Sequence, residues 1–537
     1  MTAGTSISRV TGFIRTAALA SVLGMTALAT REMADSFNLA NITPNIVYDL
    51  ILGGVLASLF IPVFVEYLTT RDEEEAWHVA NSVFNLSLLV LFAVSLALCL
   101  AAPYVIKAQT FLSHGTRAHM EANATLLLRF FIFEVVFYGF CAIYTGVLNS
   151  YKHFTIPAFA PIANNIVVII TVIVYHYFPN IYVLAVGGTL GVVAMAMIQL
   201  PWVRRTGFRY HFVFDIKHPA VRKLGRLAVP VVAYVLINQS GLWVVNILAT
   251  QIRGGISAFQ YAYIFFQLPY GIVAVSIITA LFPTLSEQSV RKDTREIVNS
   301  VSLGIRTTAF VVIPASVGYA VLSMPIVRLL LQRLNFDAHD TEMLASVVFY
   351  FVLGLIFFSV FMLILKVFYS MQDTKTPMII AAIIIALNIA VDFVYFYAFK
   401  TDVMKVSGLA LGNTTAYVVG AICVWAVLRR RLGGLDGSLI ARSLTKICIA
   451  SAATGGACYG VAKLMESLVG VGGFWSQLLQ VSLAILVGAG VYIGLAVLLK
   501  SEEMNALRRL LSRFMKRNQS EITPQGTAPV EEDSIME

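Results

Sequence analysis

Charged residues are scarce in this sequence of 537 residues: Asp, Glu, Lys and Arg together make up 12%, while 58% of the residues are hydrophobic. A soluble domain averages about 25% charged and roughly 45–50% apolar residues. So few charges cannot cover a water-exposed surface, which excludes a soluble enzyme, a coiled coil and a disordered scaffold. The composition predicts an integral membrane protein whose main solvent is lipid hydrocarbon.

Cysteine is also rare, and the five residues offer no pattern for a disulfide framework or a zinc site. No C-x-x-C pair occurs, and every cysteine lies inside an apolar run. We interpret them as buried, inert thiols: Cys99, Cys141, Cys423, Cys448 and Cys458. The net charge of +9 is spread over short clusters between apolar runs, so it does not favour nucleic acid as a partner.

Several catalytic motifs are missing as well. No G-x-x-x-x-G-K-[ST] loop occurs, which indicates that the chain does not power itself with ATP. Neither a G-x-S-x-G nucleophile elbow nor an H-E-x-x-H pair is present. A membrane enzyme would need a catalytic carboxylate or His in a sizeable loop, and the predicted outward loops are short. The sequence therefore favours transport over chemistry, without a bound cofactor.

Apolar runs long enough to cross the hydrocarbon occur about fourteen times, from 7–29 near the start to 474–499 near the end. The runs are too long and uniform for barrel strands, so each predicts a helix. The run 34–68 is overlong and contains Pro44, which predicts a bent or partly solvent-lined segment. The even number of spans and an about threefold excess of Lys and Arg in one set of loops predict cytoplasmic termini.

The two halves of the chain resemble each other at an offset of about 220 residues. Phe60–Glu66 matches Leu281–Glu287, and Ser150 with Pro157 matches Ser370 with Pro377. Each copy holds six predicted spans, an even number, so the copies are parallel repeats of the kind whose interface binds substrate in transporters. The predicted domains are a six-helix lobe at 1–220, a second at 221–440 and two additional transmembrane helices at 441–500.

The segment 501–537 is predicted to be a cytoplasmic tail. Within 501–517, Met504, Leu507, Leu511 and Phe514 share one helical face beside several Arg and Lys residues, which indicates a helix lying on the membrane surface. After Asn518 the sequence becomes polar and acidic, which is typical of disorder. Such a tail could recruit partner proteins.

Ionisable residues inside spans are functional candidates because each costs several kcal/mol unless it faces a cavity or a partner. Arg9 and Arg15 lie in the first span and could hold an anion in a central cavity, although either could instead reach the membrane interface. Asp35 in the second span could pair with these arginines as a structural residue.

Further candidates lie in later spans. Arg129 and Glu134 are five residues apart in the fourth span, which is a poor spacing for an intrahelical pair, and Lys366 stands alone in the tenth. Asn388 and Asp392 share a helical face in the eleventh span and could offer oxygens to a small hard cation. A buried hydrogen-bonded pair is the alternative interpretation of these two residues.

An ordered series of motifs extends over roughly residues 5–500. Its members are Ser8–Arg15, Ala34–Phe37, Pro44–Asn45, Phe60–Phe64, Ile156–Pro161 with Asn165, Tyr261–Ala262, Leu281–Pro283, Gln372–Pro377 and Gly408–Leu411. The series is more specific than any one of its motifs. It resembles the MurJ (MviN) lipid II flippases of the multidrug/oligosaccharidyl-lipid/polysaccharide (MOP) exporter superfamily.

The resemblance implies export of lipid II, the lipid-linked peptidoglycan precursor, from the inner to the outer leaflet of the bacterial inner membrane. It implies alternating access of two lobes around a cationic cavity, and a groove for the polyprenyl tail beside the two additional helices. The family's first-span arginines match Arg9 and Arg15, and its adjacent acid matches Asp35. Its sodium-coordinating Asn-x-x-x-Asp matches Asn388 and Asp392, so a sodium ion or a proton could couple transport.

Three positions depart from the family's pattern. Tyr48 stands where many members have an arginine after the Pro-Asn of the second span, and Ile264, preceded by Tyr263, replaces the eighth-span arginine. Asn246 stands at the seventh-span aspartate of the sodium site. The cavity is therefore expected to be less cationic, unless Arg129 or Lys366 compensates. An exporter of another polyprenyl-linked saccharide or of drug cations is the alternative function.

Overall fold

The computed structural model describes residues 2–25, 31–48, 64, 73–113, 118–151, 153–208, 210–501 and 503–504, and no β-strand occurs among them. The prediction of an all-helical membrane protein is confirmed. The first lobe contains α1 (Thr2–Leu23), α2 (Arg31–Tyr48), α3 (Glu73–Thr110), α4 (Ala118–Phe131), α5 (Glu134–Ser150), α6 (Thr155–Tyr177), α7 (Ile181–Met197) and α8 (Leu200–Arg205).

The second lobe begins with α9 (Pro219–Ala249) and α10 (Gly255–Pro269), after which a π-helical turn, Tyr270–Ala274, leads into α11 (Val275–Val290). It continues through α12 (Thr294–Val321), α13 (Ser323–Leu331), α14 (Ala338–Leu353), α15 (Leu355–Ser370), α16 (Lys375–Ala398) and α17 (Asp402–Leu432). The final helices are α18 (Gly437–Val469) and α19 (Phe474–Leu498).

Ten helical segments of the described chain are long and apolar enough to cross a membrane, or eleven if α14 and α15, which bend by 44° at their junction, form one span. The predicted number of fourteen is not confirmed. Helices α1 and α2 exist where the first two spans are predicted, but they carry polar side chains. Beyond Tyr48, the predicted 34–68 span and its repeat motif lie outside the described residues, except for Phe64.

Polar side chains and glycines define several helix ends. Asn180 accepts a hydrogen bond from the backbone N–H of Tyr182 and caps α7, and Asp337 caps α14 through the N–H of Asp340. At the end of α17, Arg429–Arg431 face the negative end of the helix dipole, and Gly433 adopts a φ of 73°. Local sequence thus fixes where these spans begin and end.

The repeat motif at Ser150 and Ser370 has the same structure in both halves. Helix α5 ends at Ser150 and α15 ends at Ser370, and in each half Pro157 or Pro377 is the third residue of the next helix. A proline in the first helical turn is favourable because its missing N–H has no intrahelical partner there.

Helix packing follows the two halves of the chain. In the first lobe α1 packs on α6, α6 on α7 and α2 on α4; in the second, α16 packs on α17, α17 on α14 and α14 on α10. Helices α18 and α19 pack on each other, and α18 lies against α12. The predicted surface helix and tail lie outside the described residues beyond Met504.

Candidate functional site

A central pocket of about 160 Å³ lies where α1, α2, α5, α6, α7 and α10 meet. Its wall mixes charged and amide side chains with apolar ones. The polar residues that line it are Arg15, Thr16, Asn38, Asn41, Asn45, Glu134, Tyr138, Asn164, Gln260 and Tyr261. A polar pocket at the interface of two lobes is the expected form of a transporter substrate site.

A second pocket, of about 300 Å³, extends the first along α1 toward its N-terminal end. The two pockets share Arg15, Thr16 and Ile264, so they form one path. The second pocket adds Arg9 and Gln267 to the wall. The path therefore contains two first-span guanidinium groups, with Arg15 at the junction between the pockets.

Each arginine has a distinct environment. Arg15 is half-buried, and its Nε is buried without a hydrogen-bond partner among the described residues. Arg9 lies against the π-helical turn of the second lobe, where a β-carbon at Gly271 would come within 2.3 Å of its Nη1. A side chain at position 271 would displace the Arg9 guanidinium from its present place against this backbone.

Glu134 is one of the ionisable span residues singled out from the sequence that the structure places in the central pocket. Helix α4 ends at Phe131, and α5 begins at Glu134, whose side chain is 3% exposed and lines the central pocket. Ile132 in the break accepts a hydrogen bond from Ser95 Oγ at 3.0 Å, which ties the break to α3. The isolated acid in a predicted span was the available signal; the break that directs it inward was not predictable.

The two lobes are joined by hydrogen bonds at one end of the bundle, which we call the closed end; it comprises residues 21–25 and 35–38 of the first lobe with 254–257 and 335–340 of the second. Asp35 accepts hydrogen bonds there from the N–H of Gly254 at 2.8 Å and from Ser257 Oγ at 2.7 Å. These donors belong to the start of α10, where the helix dipole also favours an anion. Asp35 joins the two lobes through these contacts.

A second set of contacts strengthens the closed end. The N–H of Met25 donates to Asp340 at 2.8 Å, and the backbone and side chain of Asn335 donate to the carbonyls of Ser21 and Val22 at 3.1 and 2.7 Å. The end of α1 is thereby attached to the connection between α13 and α14. Two backbone carbonyls of α1 that a helix end leaves free, those of Ser21 and Val22, thus accept hydrogen bonds from the other lobe.

Arg129 and Lys366 lie outside the pockets. Both side chains belong to exposed residues on the outside of the bundle. The Lys366 ammonium lies 5.8 Å from the ring centre of Phe282 and 5.6 Å from that of Tyr369, within cation–π distance. The structure therefore does not bring these two residues together with Arg9 and Arg15.

The predicted ion-site residues lie in the second lobe. Asp392 is fully buried on α16, and both of its carboxylate oxygens lack a hydrogen-bond partner among the described residues, as does Nδ2 of Asn388 one turn earlier. Asn246 on α9, which packs on α16, donates to the carbonyl of Leu242 and accepts from Gln260. No group of three His, Cys, Asp or Glu residues suited to a metal occurs in the described chain.

The two departures from the arginine pattern both lie near the pockets. Tyr48 stacks at a tilt on Tyr138, with ring centres 4.5 Å apart, and Tyr138 lines the central pocket. Ile264 lines both pockets. The wall at these places is aromatic and aliphatic, which leaves Arg9 and Arg15 as the cations among the residues lining the pockets.

An apolar groove of about 560 Å³ lies between α12, α18 and α19. Its lining includes Phe310, Tyr319, Cys458 and Tyr492, together with Met504, the last residue that the structure describes. Gly488 of α19 packs so closely on α18 that a β-carbon would come within 2.3 Å of Cys458 Sγ. The groove has the chemistry to accept a hydrocarbon chain.

Comparisons with known proteins agree with this architecture. Relatives of similar length include a "Probable lipid II flippase MurJ" of Rhizobium tropici, 28% identical over 94% of both chains, and one of Rhizobium meliloti (strain 1021), 27% identical over 97% of this chain and 96% of its own. Among solved structures, "Lipid II flippase MurJ, inward closed conformation" matches with a TM-score of 0.75 at 24% identity, covering 92% of this chain and 97% of its own.

A MATE family transporter of the MOP superfamily in an inward-facing conformation shares the fold, with a TM-score of 0.67 at 15% identity over 80% of this chain and 99% of its own. The family model described as "Lipid II flippase MurJ" matches residues 19–479, most of the chain. The resemblance found in the sequence is thus confirmed. The chain belongs to the lipid II flippase MurJ family, a multi-span membrane transporter family.

Proposed function

We propose that this protein moves lipid II from the inner to the outer leaflet of the bacterial inner membrane by alternating access and without ATP. Family membership supports the substrate. The observation that carries the proposal is the polar path between the lobes, which contains Arg9 and Arg15 and ends at the hydrogen-bonded closed end. A pyrophosphate is the kind of group that guanidinium donors bind with charge-assisted hydrogen bonds.

In this proposal the two pockets and the apolar groove bind different parts of a lipid-linked substrate. The polar path would receive the charged and sugar–peptide head. The groove between α12, α18 and α19 would hold the polyprenyl chain, because burying each CH₂ group contributes about 0.8 kcal/mol. This division supports a transporter that changes no covalent bond of its substrate.

The proposed orientation places the closed end at the outer leaflet. The opposite end of the bundle carries the basic connections, including Arg204, Arg205 and Lys217 between the lobes, which favours the cytoplasm under the positive-inside rule. Both termini and the tail would then be cytoplasmic. Release of the contacts between Asp35 and the start of α10 would open the path outward.

Coupling to the membrane potential or to an ion gradient replaces ATP in this proposal. Asp392 is the candidate for the coupling cation, because its buried oxygens are unpartnered among the described residues and a cation would satisfy them. Asn388 and Asn246 would supply neutral oxygens to a sodium ion, and a proton on Asp392 is the alternative. Cell-wall synthesis or division proteins would bind the tail.

A leaflet-resolved assay of lipid II in cells depleted of this protein tests the function. We expect lipid II to accumulate in the inner leaflet and the wild-type gene to restore the outer-leaflet pool. A gene encoding Arg15→Ala, expressed at the same level, serves as the matched control and should fail to restore it. Unchanged outer-leaflet lipid II after depletion would contradict the proposal, and competition by organic cations would favour a drug exporter.

A further inference from the structure

Glu134 places an acid in a pocket that is proposed to bind an anion. Its side chain is only 3% exposed and lies within the membrane-crossing segment Ala118–Ser150. A buried carboxylate without compensation costs several kcal/mol, so such a residue in a span is a functional candidate. The mechanism proposed above uses Arg15 on the opposite wall and leaves Glu134 without a role.

The groups that face Glu134 can be named element by element. Helix α1 contributes Arg15, and α5 itself contributes Tyr138 one turn further on, whose ring packs on Tyr48 of α2. Helices α6, α7 and α10 contribute no charged side chain to the pocket; their residues in its wall are Asn164, Val168, Gly188, Val192, Gln260, Tyr261 and Ile264. Arg15 is therefore the cation that faces Glu134 among the described pocket residues.

Arg15 and Glu134 line the same pocket without touching. No direct ion pair within 4.0 Å joins the two side chains among the described residues, and the Nε of Arg15 has no hydrogen-bond partner. The central pocket of about 160 Å³ is bounded by both side chains. The guanidinium and the carboxyl group are therefore not occupied by each other, and both can respond to a ligand.

A phosphate that enters this pocket raises the free-energy cost of keeping Glu134 ionised. It brings a second negative charge close to the carboxylate, and two like charges repel each other strongly in a site shielded from water. Lowering the pH neutralises the carboxylate, whereas the phosphates of a pyrophosphate diester stay ionised. Arg15 would then be free to donate to the phosphate.

We propose that Glu134 is a proton-binding residue that couples substrate binding to proton uptake. A phosphate of the substrate that binds Arg15 favours the protonated form of the neighbouring Glu134, so binding is accompanied by uptake of a proton from the aqueous phase. No covalent bond of the substrate forms or breaks. When the proton leaves, the restored carboxylate repels the phosphate and promotes release. This inference rests on the proposed function and identifies a specificity-determining residue within it.

Lipid II binding to the purified full-length protein between pH 5.5 and 8.5 tests the proposal. The wild-type affinity should rise as the pH falls, by up to tenfold per pH unit for one coupled proton. Glu134→Gln should bind with the high affinity at every pH, because the amide resembles the neutral acid. Glu342→Gln removes an exposed acid on α14 and should keep the wild-type slope. Titration calorimetry in two buffers should show uptake of about one proton by wild type and none by Glu134→Gln.

Glu134→Asp keeps an ionisable group and provides the second variant if Glu134→Gln does not fold. It should retain a pH-dependent affinity with a shifted midpoint. A slope in Glu134→Gln equal to that of wild type, or a pH-independent wild type, overturns the role of Glu134 while leaving lipid II binding intact. Folded wild-type protein that binds no lipid II at any pH overturns the proposed function itself.

Discussion

Arg15 occupies the junction of the two pockets, whereas Arg9 lines one pocket and lies against the backbone of Gly271. We therefore expect Arg15→Ala to reduce lipid II flipping more than Arg9→Ala, by tenfold or more, since a hydrogen bond to a charged group contributes about 1.5–3 kcal/mol. Arg15→Lys keeps the charge and should retain part of the rate. The measurement is leaflet-resolved lipid II in depleted cells at matched expression.

Arg129→Ala is the control for this comparison, because it removes an exposed arginine outside the pockets. It should leave flipping within about twofold of wild type, as expected for a surface substitution. Equal rates for Arg15→Ala and wild type would contradict the assignment of Arg15 to the substrate path. A large loss in Arg129→Ala would instead place the cation requirement on the outside of the bundle.

Asp392 and Gly412 provide a second test at the level of single residues. A β-carbon at position 412 would come within 1.9 Å of Asp392 Oδ1, so the backbone of α17 approaches the carboxylate closely. Asp392→Asn should weaken any dependence of flipping on sodium or pH, because it removes the formal charge of the candidate site. Gly412→Ala should do the same by displacing the carboxylate.

Flipping in proteoliposomes with and without a sodium or proton gradient measures this dependence. Gly456→Ala is a matched control, since a β-carbon there meets no neighbouring atom within 4 Å. It should keep the gradient dependence of wild type. If Asp392→Asn responds to both gradients as wild type does, the coupling cation binds elsewhere.

The sequence indicates which charged side chains lie in membrane-spanning segments. It does not indicate the direction in which each side chain points from its helix. Hydropathy places Arg15, Arg129, Glu134 and Lys366 in spans, yet only Arg15 and Glu134 line the central pocket. The direction of a side chain depends on helix rotation, which tertiary packing sets. For Glu134 it also depends on the break after Phe131, and no proline or glycine marks that break.

At the level of secondary structure, the connection between α15 and α16 combines a helix cap with an ion pair. Asp373 accepts hydrogen bonds from the N–H groups of Lys375 and Thr376 at 3.0 Å and pairs with Arg431 at the end of α17. Burial alone would raise the pKa of Asp373, but the hydrogen bonds from Thr376 and Arg431 outweigh it and lower the pKa to about 2.

We expect Asp373→Ala to lower the free energy of unfolding by about 1 kcal/mol at pH 7, as loss of a helix cap does. Because the folded-state pKa is lowered, this stabilisation is present above the ordinary pKa near 4 and is lost as the pH falls toward 2. Thermal unfolding in detergent should therefore show a constant difference between pH 7 and 5 that shrinks below pH 4.

Asp373→Asn is the matched control, since it keeps an acceptor oxygen but loses the charge. Its stability at pH 7 should lie between those of wild type and Asp373→Ala. A difference between wild type and Asp373→Ala that persists unchanged at pH 3 would mean that the carboxylate charge does not contribute to the cap.

The positions of the helices could be predicted from the sequence better than the turns and bends that interrupt them. Apolar length and the positions of Pro157 and Pro377 locate the helices because these are local properties of the sequence. The π-helical turn at Tyr270–Ala274 and the 44° bend between α14 and α15 arise from packing between helices. Sequence periodicity does not report such packing, so both features escaped prediction.

On the scale of the whole molecule, the internal repeat and the resemblance together predicted the architecture and the family. The closed end could not be predicted, because its hydrogen bonds join residues more than 200 positions apart, such as Asp35 with Ser257 and Val22 with Asn335. In the proposed mechanism of alternating access, these contacts hold one of the two states. That mechanism would require the protein to break and re-form them in each cycle.

Cross-linking the closed end tests this requirement. The N–H of Asn335 donates to the carbonyl of Ser21 at 3.1 Å, so the two backbones are adjacent, as a disulfide requires. We expect oxidised Ser21→Cys/Asn335→Cys to be arrested in lipid II flipping and to recover when dithiothreitol is added. Proteoliposomes with lipid II and a leaflet-resolved readout provide the measurement, and each single variant controls for the five native cysteines.

Ser346→Cys/Ser407→Cys provides the matched disulfide within one lobe, since the two hydroxyl oxygens lie 2.8 Å apart on α14 and α17. This bridge links elements that move together in a rocking mechanism, so oxidation should leave flipping close to the reduced rate. If both disulfides arrest transport, the second lobe must deform internally during the cycle. If the bridge between the lobes forms fully and flipping continues, opening of the closed end is not part of transport, and alternating access in this form is wrong.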